Sequence, residues 1–205
     1  MNRVITIGRE FGSGGREIGV KLAERLNIPF YDKEIVTMAA EAGGLDEAFI
    51  EMNEEGGHRV NRKGGIRRAS LASFKYQPSF SDGIFLHQCE AVKKLASQGP
   101  CVIVGRCSDY VLRFDGSIDV FIAASMPFKI ARKRAMAPEK ADFTDAQMEK
   151  WINDVNRSRC DYYEHYTGRK WGHIQNYHLC IFSDMVGIDG SVDTIMAYLN
   201  SVEDK

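Results

Sequence analysis

The chain has little of what marks a secreted, membrane or metal-binding protein. Its five cysteines are odd in number and form no C-x-x-C pair, which favours reduced thiols in a cytoplasmic protein. The five histidines show no metal-ligand spacing with them, so zinc is not expected. No apolar run approaches the roughly 18 residues that span a bilayer. The first run ends after a few residues, unlike a signal peptide, so neither membrane insertion nor export is expected.

Charge of one sign is also lacking. The 27 basic and 28 acidic residues leave a net charge of −1, which gives no general attraction for nucleic acid or a membrane surface. A local basic stretch, 59–68, is interpreted as a solvated loop because glycine pairs flank it. An anionic ligand therefore has to be bound by a local site.

Short apolar runs without polar alternation recur along the chain, and helix-like segments separate them. This pattern predicts an α/β fold with a five-stranded parallel sheet that helices cover on both faces. With 205 residues, of which 44% are hydrophobic, one domain spanning 1–205 can bury a sizeable core. The predicted strands lie at 4–7, 28–31, 101–104, 120–123 and 179–182. The predicted helices follow the first strand and cover about 84–96, 127–134 and 191–202.

The firmest functional feature is the glycine-rich turn Gly12-Ser13-Gly14-Gly15, between the first strand and the first helix. Glycines let the backbone curl so that successive N–H groups point inward, and the helix N-terminus adds partial positive charge. Both features suit phosphate groups. A plain strand-to-helix turn is the alternative, but three glycines in four residues exceed its needs.

The turn departs from the pattern G-x-x-x-x-G-K-[ST], because no lysine precedes Lys21. Of the charged residues available, Arg9, Arg16 and Glu17, we expect Arg16 to contact phosphates and Glu17 to assist magnesium. A dinucleotide-binding turn is another interpretation, since Asp32 closes the second strand about twenty residues on. The third glycine of G-x-G-x-x-G would fall on Glu17, which argues against it.

Four segments together resemble the cytidylate-kinase-like proteins, over nearly the whole chain: VITIGREFGSGGREIG, IPFYD, CVIVGRCSDYVL and GRKWGHIQNYHLCIFSD. The resemblance implies a nucleoside-monophosphate-kinase core with an acceptor-binding insertion, placed at 43–83, and a lid, placed at 126–176. It implies transfer of the ATP γ-phosphoryl group, with Mg²⁺, to a monophosphate. Among small-molecule nucleotides CMP or dCMP is the first acceptor expected, and another small phosphorylated acceptor stays open. Where cytidylate kinase has its loop lysine and the following threonine, this chain has Gly15 and Glu17.

Further candidates follow the second and third strands. Asp32 is expected to orient an acceptor sugar or base, or to cap the helix that starts at Lys33. The resemblance aligns Arg106 with an acceptor-phosphate arginine, and Asp109 is either its orienting partner or a helix cap.

A basic lid is expected to neutralise charge during transfer, with Arg132, Arg157 and Arg159 as candidates. The resemblance puts lid arginines at Arg157 and Arg159, but residues at i and i+2 do not face the same way on a helix. Three tyrosines nearby are expected to pack on the core rather than to wall a base pocket: Tyr162, Tyr163 and Tyr166.

Two other functions stay open at this point. A nucleotide-binding module with little catalysis is consistent with the absent loop lysine. A NAD-dependent oxidoreductase corresponds to the dinucleotide interpretation of the same turn.

Overall fold

The chain folds around a parallel sheet with the strand order β2-β3-β1-β4-β5. The computed structural model describes residues 3–44 and 80–203. The strands are β1 Ile5–Arg9, β2 Phe30–Tyr31, β3 Val102–Val104, β4 Ile118–Ala123 and β5 Leu179–Phe182. All four strand pairings are parallel, which confirms the predicted fold class.

Seven α-helices lie within the described ranges. They are α1 Gly15–Leu26, α2 Lys33–Gly43, α3 Phe80–Ser97, α4 Ser108–Val111, α5 Met126–Met136, α6 Asp145–Thr167 and α7 Ser183–Glu203. Helix α7 begins earlier than its apolar periodicity predicts. It bends at Gly187, whose φ of 72° is not helical. None of the helices in these ranges combines the length and apolarity needed to cross a bilayer.

Helices pack on both faces of the sheet, as predicted. Neighbouring strand residues point to opposite faces, so Val102 and Val104 belong to one apolar cluster and Ile103 to the other. The first cluster includes side chains of α1 and α7, and the second includes side chains of α2, α3 and α4. The two clusters pack on opposite faces of the sheet, and the candidate site residues follow the ends of its strands.

Helix α6 is 23 residues long and begins with a capping box, in which Thr144 and Gln147 each bond the backbone of the other. Met148 and Ile152 are fully buried on its inner face. The second half of this helix carries Arg157 and Arg159.

The strand order places β1 between β3 and β4. The connections after β1 and β3 diverge at that point, where parallel α/β sheets form a crevice at the carboxyl ends of the strands. The predicted site residues that follow β1, β2 and β3 are thereby brought to one edge of the sheet.

Candidate active site

The glycine-rich turn has the backbone that a phosphate loop requires. Gly12 and Gly14 have φ values of 86° and 83°, in the left-handed region that favours glycine. Gly14 is the N-cap of α1, and its carbonyl accepts the first helical hydrogen bond from Ile18 at 2.9 Å. The N–H groups of the first turn of a helix have no partners within that helix. The turn can therefore offer N–H groups and the positive end of α1 to an anion.

Three contacts from distant parts of the chain hold this turn in place. The Phe11 N–H donates to the Asn156 side chain at 2.7 Å, and Ser183 Oγ donates to the Ser13 carbonyl at 2.6 Å. Glu10 accepts a hydrogen bond from Lys129 Nζ at 2.9 Å, and this lysine is buried, with 5% of its surface exposed. The glycine turn is consequently held in place by α5, α6 and the start of α7.

A cavity of about 650 Å³ opens in front of the turn. Its walls combine the glycine turn with basic residues from several other elements and with three acids. The basic residues are Arg9, Arg16, Lys33, Arg106, Arg132, Lys133 and Arg159, and the acids are Glu10, Glu17 and Asp32. Positive side chains around a phosphate loop are what phosphoryl transfer requires, because the transferring group carries spread negative charge. The cavity suits the polyphosphate chain of a nucleotide.

Arg16 and Asp32 meet at the rim of this cavity. The Arg16 Nε donates to Asp32 Oδ2 at 2.8 Å, while 60% of the Arg16 side chain stays exposed. Asp32 occupies the N-cap position of α2, but its side chain makes no capping hydrogen bond. The Asp32 carboxylate lines the cavity instead, where it also lies 3.8 Å from Arg9 Nη2.

The fit to magnesium is poor among the described residues. Glu17, the expected metal ligand, forms an ion pair with Arg132 at 2.7 Å. Within residues 3–44 and 80–203, no group of three or more His, Cys, Asp or Glu side chains could hold a metal ion. Mg²⁺ usually relies on substrate phosphates and water for most of its ligands, so we assign it no protein cage and no step.

The turn after β3, which carries the candidate residue Arg106, has a strained backbone. Gly105, Arg106 and Cys107 all have positive φ values, 77°, 57° and 52°. Non-glycine residues in this region cost free energy and are concentrated at functional sites. The strained turn brings Arg106 to the walls of both the first cavity and a second one.

The second cavity, of about 90 Å³, is large enough for a phosphate-sized group. Apart from Gly8 and Gly105, its walls are arginine, acid, thiol and aromatic side chains: Arg9, Arg106, Cys107, Asp109, Arg159, Tyr162, Tyr163, Trp171 and Tyr177. Arg9, Arg106 and Arg159 line both cavities, which makes them the boundary between the two. The two cavities are therefore neighbours that share one set of arginines.

Asp109 is a buried acid at the base of the second cavity. It is 6% exposed and accepts a hydrogen bond from the Tyr163 hydroxyl at 2.6 Å. Burial raises the pKa of Asp109 to about 6, although the bond from Tyr163 acts in the opposite direction. Burial also raises the pKa of Tyr163, so this phenol stays a donor. Asp109 thus has Tyr163 as its partner, while it shares the cavity with Arg106.

The two lid arginines on α6 separate as their spacing predicts. Arg159 Nη1 donates to the Arg9 carbonyl at 3.3 Å and lines both cavities. Arg157 is exposed and lines neither of the two. A phosphate role for Arg157 therefore remains a prediction without structural support.

The tyrosines of α6 divide between the two roles considered for them. Tyr166 stacks on Phe85, with ring centroids 4.1 Å apart and an angle of 10°. Tyr162 donates to Gln88 at 2.6 Å and also lines the second cavity beside Tyr163. Packing accounts for Tyr166, whereas Tyr162 and Tyr163 both pack and wall a cavity.

Some cavity residues have only a weak signal in the sequence. Trp171 and Tyr177 fall inside the motif GRKWGHIQNYHLCIFSD, which marks the segment without giving either residue a role. Lys129, which supports the loop through Glu10, reads in the sequence as an ordinary helix residue. The acceptor-binding insertion predicted at 43–83 and the basic stretch 59–68 fall wholly or largely outside the described residues. All five cysteines are free thiols, as predicted.

Comparison with solved structures supports the fold. The chain is 26% identical to an uncharacterized protein from Eubacterium ventriosum ATCC 27560, with a TM-score of 0.70 over 97% of this chain and 99% of that one. It is 15% identical to shikimate kinase from Bacteroides thetaiotaomicron, with a TM-score of 0.59 over 98% and 99% of the two chains. It is 14% identical to shikimate kinase from Acinetobacter baumannii in complex with shikimate, with a TM-score of 0.55 over 100% of this chain and 96% of that one. At these identities the two kinases show the fold alone.

Comparison of the sequence identifies the family. None of the curated proteins compared with this chain matches it significantly. A profile of the cytidylate kinase-like family, however, matches residues 4–185. This match spans the glycine turn, both cavities and all five strands. The chain therefore belongs to the cytidylate kinase-like family.

Proposed function

We propose that this protein is an ATP-dependent phosphotransferase that moves the γ-phosphoryl group of ATP to a nucleoside monophosphate, with CMP or dCMP as the first acceptors to test. The family and the P-loop kinase fold support a kinase-type transferase. ATP as the donor and cytidylate as the acceptor are more specific than this support and belong to the proposal.

The observation that carries the proposal is the shared boundary of the two cavities. Arg9, Arg106 and Arg159 line both the glycine-loop cavity and the aromatic cavity behind it. A group bound between them is within reach of a donor on one side and an acceptor on the other. An arginine cluster at this point stabilises the charge that develops as a phosphoryl group passes across.

The reaction needs little covalent help from the protein. An oxygen of the acceptor phosphate forms a bond to the γ-phosphorus as the bond from that phosphorus to its bridging oxygen breaks. ADP leaves with the electron pair, and the acceptor becomes a diphosphate. The attacking oxygen is already anionic, so no general base is required, and the protein acts by positioning the groups and neutralising charge.

Most of the candidate residues have a place in this scheme. The backbone of Gly12, Ser13, Gly14 and Gly15 holds the donor phosphates, and Arg16 clamps them from the rim. Arg106 holds the acceptor phosphate, Asp32 and Asp109 orient the surrounding groups, and Arg159 covers the transferring group from α6.

A nucleotide-binding module with little catalysis is a second candidate, and one observation favours it. The residue at the aligned position of the loop lysine is Gly15, which has no side chain with which to bind phosphate. The oxidoreductase has less support, because the Asp32 carboxylate that would bind a ribose is engaged by Arg16.

A panel of acceptors tests the proposal. The purified full-length chain is incubated with Mg-ATP and each of CMP, dCMP, UMP, AMP, GMP and shikimate, and ADP formation is measured. The proposal predicts the fastest turnover with CMP or dCMP. ATP binding without transfer to any acceptor contradicts it and supports the binding module, and preferential thermal stabilisation by NAD over ATP supports the oxidoreductase.

A further inference from the structure

The side chain of Arg9 occupies the space that a loop lysine would need. A β-carbon built on Gly15 would lie 2.5 Å from the β-carbon of Arg9 and 3.1 Å from its γ-carbon. Carbon atoms in nonbonded contact lie about 3.5–4.0 Å apart. Arg9 therefore excludes any side chain at position 15, including the lysine that phosphate loops carry there.

The far end of Arg9 lies at the meeting point of the two cavities. A β-carbon on Gly105 would overlap its Nη1, so the guanidinium lies directly against the turn after β3. Its Nη2 is 3.8 Å from Asp32, and only 18% of the side chain is exposed. Arg9 is thus a partly buried cation that extends from the glycine loop to the turn that carries Arg106.

We propose that Arg9 binds the transferring phosphoryl group in place of the loop lysine, and that position 15 is glycine because the β- and γ-carbons of Arg9 occupy the space of a side chain there. The inference rests on the proposed function, since it assigns the cation of the same site. Arginine keeps its charge at all relevant pH values, and its planar fork of donors matches two phosphate oxygens. The missing lysine is thereby replaced from the end of β1 rather than from the start of α1.

Arg16 differs from Arg9 in position. Arg16 lines only the first cavity, is largely exposed and donates to Asp32 from the outer side. Arg9 lines both cavities. The inner arginine therefore contacts the γ-phosphate, whereas the rim arginine contacts the rest of the polyphosphate chain.

Binding of ATP and ADP to single variants tests this assignment by calorimetry. Arg9→Ala is expected to lose at least about tenfold in ATP affinity and less than about threefold in ADP affinity, because only ATP carries the γ-phosphate. Arg16→Ala is expected to affect ATP and ADP equally. Exposed Arg113→Ala, outside both cavities, controls for the lost charge and leaves both affinities unchanged.

Moving the cation from position 9 to position 15 tests the proposed steric conflict between Arg9 and a side chain at position 15. Gly15→Lys alone is expected to fold poorly or bind ATP weakly, because its β-carbon meets Arg9. The double variant Arg9→Gly, Gly15→Lys, which removes the obstructing β-carbon, is expected to bind ATP at least about tenfold more tightly than Arg9→Gly. Circular dichroism of each variant separates loss of fold from loss of binding.

The inference and the proposed function fail on different results. ATP affinity of Arg9→Ala equal to that of the parent chain overturns the role of Arg9, whether or not the parent transfers phosphate. A double variant no better than Arg9→Gly also overturns it. Normal ATP binding by the parent without transfer to any acceptor contradicts only the proposed function.

Discussion

The hydroxyl of Tyr163 donates a hydrogen bond to Asp109 Oδ2 at 2.6 Å, across 54 residues of sequence. The bond ties α6 to the short helix after β3, beneath the second cavity. Because Asp109 is buried, its pKa of about 6 lies above the ordinary value of 3.8. The protonation state of this one acid therefore links stability to pH.

Stability is expected to fall as pH rises through the range set by Asp109. The folded protein holds this proton more tightly than the unfolded chain, so the contribution is present below about pH 4 and lost by about pH 6 to 7. At about 1.4 kcal/mol for each pKa unit, the loss is on the order of 2 to 3 kcal/mol. Urea unfolding of the parent chain and Asp109→Asn between pH 4 and 7 measures it. Parallel pH profiles for the two proteins would contradict the assignment.

Strain at Arg106 leads to a prediction that separates stability from activity. Arg106→Gly and Arg106→Ala both remove the guanidinium and should both lose transfer, but only glycine relieves the φ of 57°. The glycine variant is expected to be roughly 1 kcal/mol more stable than the alanine variant. Thermal unfolding and acceptor kinetics of the two variants provide the measurement. Equal stability of the glycine and alanine variants would contradict backbone strain at Arg106.

Arg159 and Arg157 form a matched pair on one helix. Arg159→Ala is expected to lower kcat by about 100-fold or more, because this arginine lies over the boundary of the two cavities. Arg157→Ala removes the same charge two residues away from an exposed position, and less than about a threefold loss is expected. Steady-state kinetics compare them. A larger loss for Arg157→Ala would mean that α6 presents a different face to the nucleotide.

Gly14 and Gly168 allow backbone strain to be separated from ligand binding. Both have positive φ values, 83° and 66°, so alanine at either position should cost roughly 1 kcal/mol or more of stability. A β-carbon at Gly14 would also overlap Ile188, whereas no atom lies within 4 Å of one at Gly168. Only Gly14→Ala is expected to lose ATP binding, as measured by calorimetry at a temperature where both variants are folded.

The parts of the fold that could be predicted are those with local causes. The apolar strands, the glycine turn and the stripe of Ile18 and Leu22 on α1 depend on residues close together in sequence, so pattern alone locates them. Helix α6 also had a local signal in the capping box of Thr144 and Gln147, but its polar and aromatic composition obscured it. The bend of α7 at Gly187 has no periodic signal.

The identity of the inner cation could not be predicted, because its cause is tertiary. Sequence proximity to the missing lysine favours Arg16, whereas the position of Arg9 depends on Gly105, 96 residues later in the numbering. Arg159 and Arg157 are likewise equivalent in sequence until the rotation of α6 is known. Residue type and spacing predicted the charges, and packing decides which of them reach the cavities.

Transfer of label from γ-³²P-ATP tests the central claim most directly, in a single-turnover reaction of the full-length chain with CMP as acceptor. If the two cavities are donor and acceptor sites that meet at Arg9, Arg106 and Arg159, the label moves into CDP, and inorganic phosphate stays at background. Label that remains in ATP, or that appears as inorganic phosphate at the same rate with and without CMP, would contradict the account.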